Sequence, residues 1–192
     1  MLITVSGPAG SGKTTAAAAL AEGLGHEHVS GGDIFRSLAA DRGVSTVELN
    51  HMAEDDDSID RDLDRRLREI AREREDVVLE SRLAGWMAGD YADLRFWLDA
   101  PLAVRVERVA AREEKDAAVA REETLARAES EAERYADYYG IDIGDRSIYD
   151  LTLNTARVGE RAMVSLLRGM VEEYDPTLDE GKFPVEGVRY EF

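Results

Sequence analysis

Apolar residues in this chain follow two rhythms that alternate along its length. Leu2–Ser6 is a short β-rich run that stops at glycine, and Lys13–Leu24 follows as an alanine-rich helix that Gly25 closes as a C′ residue. Glu27–Ser30 reads as a brief second strand, and 34–41 as a helix ended by Arg42-Gly43. Ser45, with Glu48 three residues on, makes a capping box that opens a helix through about Met52. Ile59, Leu63, Leu67 and Ile70 recur at helical spacing and give the next helix one apolar face.

Val77-Val78-Leu79 and Leu94-Arg95-Phe96-Trp97-Leu98 are apolar runs of buried-strand type, and 151–153 is a further strand candidate. Helices between them, 102–112 among them, supply crossovers. The pattern therefore predicts an α/β fold, a three-layer α/β/α arrangement around a five-stranded parallel sheet. Two helical stretches exceed the alternation, 34–74 and a charged one over 113–140. We expect a single domain over 1–192 with insertions at about 33–75 and about 113–147 that carry specificity. The tail 175–192 shows no periodicity and is expected to pack on the domain or dangle.

A hydrophobic content of 44% in 192 residues suits one globular core. The first apolar stretch is five residues long and has no basic leader, so neither a signal peptide nor a membrane span is expected, and a cytoplasmic setting is. The absence of cysteine excludes disulfides, thiolate metal sites and a cysteine nucleophile, so a catalytic metal needs oxygen or histidine ligands, which suits Mg²⁺. His26, His28 and His51 have no metal-ligand spacing and are expected at the surface. A net charge of −17, from 41 acidic and 24 basic residues, argues against nucleic-acid or anionic-membrane partners. Only Lys13, Lys115 and Lys182 are lysine, and acids gather in runs such as Glu54-Asp55-Asp56-Asp57. That composition resembles the proteins of extreme halophiles, whose self-repulsion salt must screen.

Gly7-Pro8-Ala9-Gly10-Ser11-Gly12-Lys13-Thr14 matches G-x-x-x-x-G-K-[ST] and sits between a predicted strand and helix. Such a P-loop wraps backbone N–H groups and a helix N-terminus around phosphate oxygens. Lys13 is expected on the β and γ phosphates of a nucleoside triphosphate, Thr14 on Mg²⁺ and Thr15 near the α phosphate.

Ser30-Gly31-Gly32-Asp33-Ile34-Phe35-Arg36 follows the second strand, and here the sequence resembles the nucleoside monophosphate kinases. In that family a serine-glycine-aspartate turn leads to an arginine that grips the acceptor phosphate. The resemblance implies acceptor contacts from Ser30, Gly32, Asp33 and Arg36, with Asp33 holding a water on Mg²⁺, serving as an N-cap, or both. After the third strand, Glu80-Ser81-Arg82-Leu83-Ala84-Gly85 resembles the cytidylate kinases of archaeal type rather than adenylate kinases, with Ser81 in place of an expected glycine. The likeness extends over nearly the whole chain, including Tyr135 to Tyr139, Gly140-Ile141-Asp142 and Tyr149-Asp150-Leu151. Arg82, at a strand's C-terminal end, is a candidate for the acceptor phosphate or base, or for a salt bridge to Glu80.

The stretch from Glu113 resembles the lid of these kinases. On a helix, Arg127, Arg134 and Tyr138 share one face, placing Arg127 and Arg134 as catalytic candidates over the transferring phosphoryl group, with Arg112 and Arg121 as others. Asp150, Asn154 and Arg157 are expected either at a base or in core-edge hydrogen bonds. The resemblance implies phosphorylation of CMP or dCMP by ATP with Mg²⁺, in a monomer. An adenylate kinase, another small-molecule kinase, or a nucleotide-hydrolysing switch are the alternative readings.

Overall fold

The computed structural model describes residues 1–178 and 184–192. Five strands, β1 (Leu2–Ser6), β2 (Glu27–Ser30), β3 (Val77–Ser81), β4 (Leu94–Asp99) and β5 (Leu151–Asn154), form one sheet in the order β2-β3-β1-β4-β5. Every pairing is parallel. The central strands β1, β3 and β4 are almost wholly buried because the sheet is covered on both faces there, whereas the edge strands β2 and β5 keep exposed positions. Ile3, Val5, Val78, Phe96 and Leu98 pack under α1 (Lys13–Leu24) and α8 (Glu160–Glu173). Leu2, Val77, Leu79 and Trp97 point the opposite way, as the two-residue period demands. They meet α4 (Ser58–Glu73), α5 (Ala84–Ala88) and α7 (Ala117–Tyr139).

The first insertion builds its own small core from α2 (Gly31–Asp41), α3 (Thr46–Asp55) and α4, where Phe35, Leu38, Leu49 and Ile59 interlock. The expected capping box is present, Ser45 accepting from Glu48 N and Glu48 accepting from Ser45 N. The helix it opens runs to Asp55, beyond the expected Met52. The second helix begins earlier than expected, at Gly31, because the Ser30 hydroxyl accepts from Asp33 N at 3.3 Å and so caps it. Asp33 is thus a first-turn residue and not the N-cap.

The charged stretch divides at a turn after α6 (Leu102–Glu113), and α7 then continues as one 23-residue helix. Its C-terminal half is anchored in the core by Tyr135 and Tyr139, and Gly140 ends it at φ 73°. Of the tail, 179–183 lie outside the described residues. Beyond them Tyr190 donates to Trp86 O at 2.8 Å, and the Arg68 guanidinium stands 3.4 Å from the Tyr190 ring centre. The tail packs on the domain. Among the described residues, no helix is long and apolar enough to cross a membrane.

Candidate active site

The chain leaves β1 toward β2 and β3 on one side and later returns to β4 and β5 on the other. A crevice therefore opens at the C-terminal ends of the strands, where the order reverses. It is a cleft of about 1110 Å³, with the P-loop at one end and α2, α3, α4 and α7 along its walls.

The P-loop is held from behind. Gly7 (φ 151°) lies against the Leu98 carbonyl, and Gly10 (φ 77°) lies so close to Arg105 that a Cβ at either position would collide with backbone. Arg105 donates to Ala9 O at 3.4 Å, and Arg108 to Gly10 O at 3.1 Å and Thr155 Oγ1 at 2.9 Å. Thr155 in turn donates to Ser11 O at 2.7 Å. Ser11 is buried, whereas Ala9, Gly10, Gly12, Thr14 and Thr15 border the cleft. Gly12 caps α1 in the left-handed region, φ 89°, with its helix N-terminus open.

Lys13 Nζ donates to Pro8 O at 3.4 Å and lies 3.9 Å from Glu80 Oε1. Burial, opposed by Glu80 and reinforced by Arg82, lowers its pKa from 10.5 to about 8. Thr14 Oγ1 donates to Glu80 Oε1 at 3.1 Å. Glu80 is 2% exposed and faces Lys13 and Thr14, and Arg82 pairs with Glu131 instead, so the structure does not show the alternative of a Glu80–Arg82 salt bridge. A buried carboxylate against a threonine hydroxyl at a helix N-terminus suits a hard, water-ligated cation such as Mg²⁺. Asp33 was the expected second-sphere ligand, but it is exposed, turned toward Arg36 Nη2 at 2.5 Å, and does not line the cleft.

Ser30, Gly32, Arg36 and Arg82 line the cleft. Arg82 pairs with Glu131, which also receives Arg127 Nε at 2.7 Å. One buried carboxylate on α7 thereby fixes two guanidinium groups at the cleft, and burial holds Arg82 below the usual arginine range. Arg134 departs from expectation. Its guanidinium is committed to Asp60 at 2.7 Å and Asn50 at 3.3 Å on the first insertion, and to Ser130 one turn earlier on α7. Tyr138 likewise turns away and donates to Ala53 O at 3.4 Å. Of the other lid candidates Arg112 borders the cleft, and Lys115 joins it there.

Glu131, Arg108, Asn50, Asp60 and Asp64 were not singled out by sequence. The first two act across long chain separations, and the acids of α4 look like ordinary polar positions beside an apolar stripe. His26 and His28 are half-buried rather than exposed, because they flank the sheet edge near Asp76 and Glu80.

The model of the cytidylate kinase-like family matches residues 2–157. The cytidylate kinase of Natronomonas pharaonis is 64% identical over 192 residues, covering 100% of both chains. That of Haloarcula marismortui is 63% identical over the same length, again covering 100% of both. Among solved structures, a shikimate kinase from Bacteroides thetaiotaomicron superposes with TM-score 0.60 at 18% identity, covering 90% of this chain and 98% of that one. That likeness speaks for the P-loop kinase fold alone.

Proposed function

This chain belongs to the cytidylate kinase-like family, and from that premise we propose that it transfers the γ-phosphoryl group of ATP to CMP or dCMP. The observation that carries the reading is one cleft holding a P-loop at one end and Arg36, Arg82 and Arg127 beyond it. Lys13 and the loop N–H groups of 7–15 hold the triphosphate. Arg36 and Arg82 grip the acceptor phosphate, with Ser30 and Gly32 beside it, and align it with the γ-phosphorus. Thr14 and Glu80 would hold Mg²⁺, which would supply charge neutralisation on the phosphates.

Arg127 leans on Glu131 until substrates enter and then balances charge on the transferring group. No general base is required, since the acceptor phosphate is already an anion. The insertion at about 33–75 acts as the acceptor-binding part and 113–147 as the lid, whose closure excludes water. We read the chain as a cytoplasmic monomer, since one chain supplies both the P-loop and the arginines of the cleft.

Arg36→Ala tests the division of the cleft. KM for CMP should rise at least about tenfold, the value of a lost charge-assisted contact, while KM for ATP changes little. Equal loss of both would place Arg36 at the donor.

A further inference from the structure

Two buried polar atoms beside the start of α1 face each other without a partner. Glu80 Oε2 on β3 and His28 Nε2 on β2 stand 3.9 Å apart, and neither makes a hydrogen bond among the described residues. Their juxtaposition follows from the register of the sheet. His28 pairs with Val78 in the parallel ladder, and Glu80 lies two residues beyond Val78, so both side chains rise on the face that α1 covers.

A neighbouring pair offers a contrast. His26 Nε2 is 3.7 Å from Asp76, but that carboxylate is 66% exposed, open to water and already paired with the Met1 amino group. Glu80 is 2% exposed and has little access to solvent. Its Oε1 accepts from Thr14 Oγ1 at 3.1 Å and has Lys13 Nζ at 3.9 Å. A buried carboxylate oxygen left without a donor is costly, and an imidazole N–H is a group that supplies one. With the ring proton on Nε2, His28 meets that need. With a bare Nε2, two lone pairs would confront each other. The Thr14 hydroxyl gives its one hydrogen to Glu80, so its lone pairs are left for the cleft it borders. That arrangement holds only while the carboxylate keeps its rotation.

We propose that His28 is a positioning residue for the cation site. Its Nε2–H donates to Glu80 Oε2 and clamps the carboxylate, so that Oε1 takes the Thr14 hydrogen and leaves the hydroxyl oxygen free for Mg²⁺. The inference rests on the reading of Thr14 and Glu80 as Mg²⁺ holders given above. The gap of 3.9 Å is one that a small side-chain rotation closes, and hydrogen bonds that support a reacting site commonly shorten when substrates bind.

The test is binding rather than turnover. Kd for a non-hydrolysable ATP analogue is measured by calorimetry at high KCl, with Mg²⁺ and with EDTA. The proteins are wild type, His28→Leu and His28→Gln, whose amide nitrogen reaches where Nε2 stands. In wild type Mg²⁺ should tighten binding. In His28→Leu that gain should shrink at least about threefold while Kd in EDTA stays within about twofold, because losing an outer-sphere partner weakens metal affinity. His28→Gln should keep most of the gain. A full gain in His28→Leu overturns the inference, as does an equal loss of the gain in both variants, or an equal loss of affinity with and without Mg²⁺. If thermal melts show His28→Leu unfolded, His28→Asn, whose amide is too short to reach Glu80, replaces it with the same outcomes. If wild type shows no gain from Mg²⁺, the assignment of Thr14 and Glu80 falls and this inference with it. If wild type shows the gain and His28→Leu keeps it, only the role of His28 falls.

Discussion

Lys13 shows how a single residue stores information about its missing partner. Without phosphate nearby, burial outweighs the Glu80 carboxylate and holds the ammonium group at about 8 instead of 10.5. In that window the unfolded chain binds more protons than the folded one, so stability of the nucleotide-free protein rises with pH from about 8 toward 10.5, and the cost of the charged form is fully present below 8. ATP phosphates reverse the shift. Near pH 8, ATP binding should therefore draw up to about half a proton onto the protein, seen by calorimetry in two buffers of unlike ionisation enthalpy. Lys13→Arg, which stays charged throughout, should abolish the uptake. Uptake persisting in that variant would assign the proton to another group. The P-loop was legible in the sequence because its chemistry is local, eight consecutive residues with a fixed spacing. Glu131 was not, since its value comes from bracing Arg82 and Arg127, and one of these lies on another element.

At the level of elements, strands and caps were read closely and packing was not. All five strands stand where they were expected, and β3 and β4 are the plainest because a strand buried on both faces is a continuous apolar run. The Ser45–Glu48 box was equally plain, its signal being four residues long. The burial of Asp60 and Asp64 is different. It follows from α7 crossing the insertion, and nothing in the periodicity of α4 announces it. Ser45→Ala tests whether α3 is a structural prop for the acceptor half. It should lower stability by about 1 kcal/mol and raise KM for CMP, because α3 carries Asn50, while KM for ATP holds steady. Thermal melts and steady-state kinetics check both, and a matching rise in KM for ATP would contradict the division.

Across the whole molecule the charge is distributed with purpose. The chain carries −17, yet the cleft walls hold eight basic and six acidic residues, a formal +2. A basic cleft in an acidic body draws phosphate-bearing substrates inward while the outer surface stays hydrated. The P-loop alone marks a triphosphate site, a property that switches and motors share. Arg36, Arg82 and Arg127 line the same cleft, and on the function proposed above they hold the second substrate that the γ-phosphoryl group reaches. The most direct measurement is product formation from ATP and Mg²⁺ at high KCl, with CMP, AMP or no acceptor. ADP should appear only with an acceptor, CDP should match it mole for mole, and CMP should outcompete AMP. ADP released equally fast without an acceptor, or AMP displacing CMP, would contradict the account.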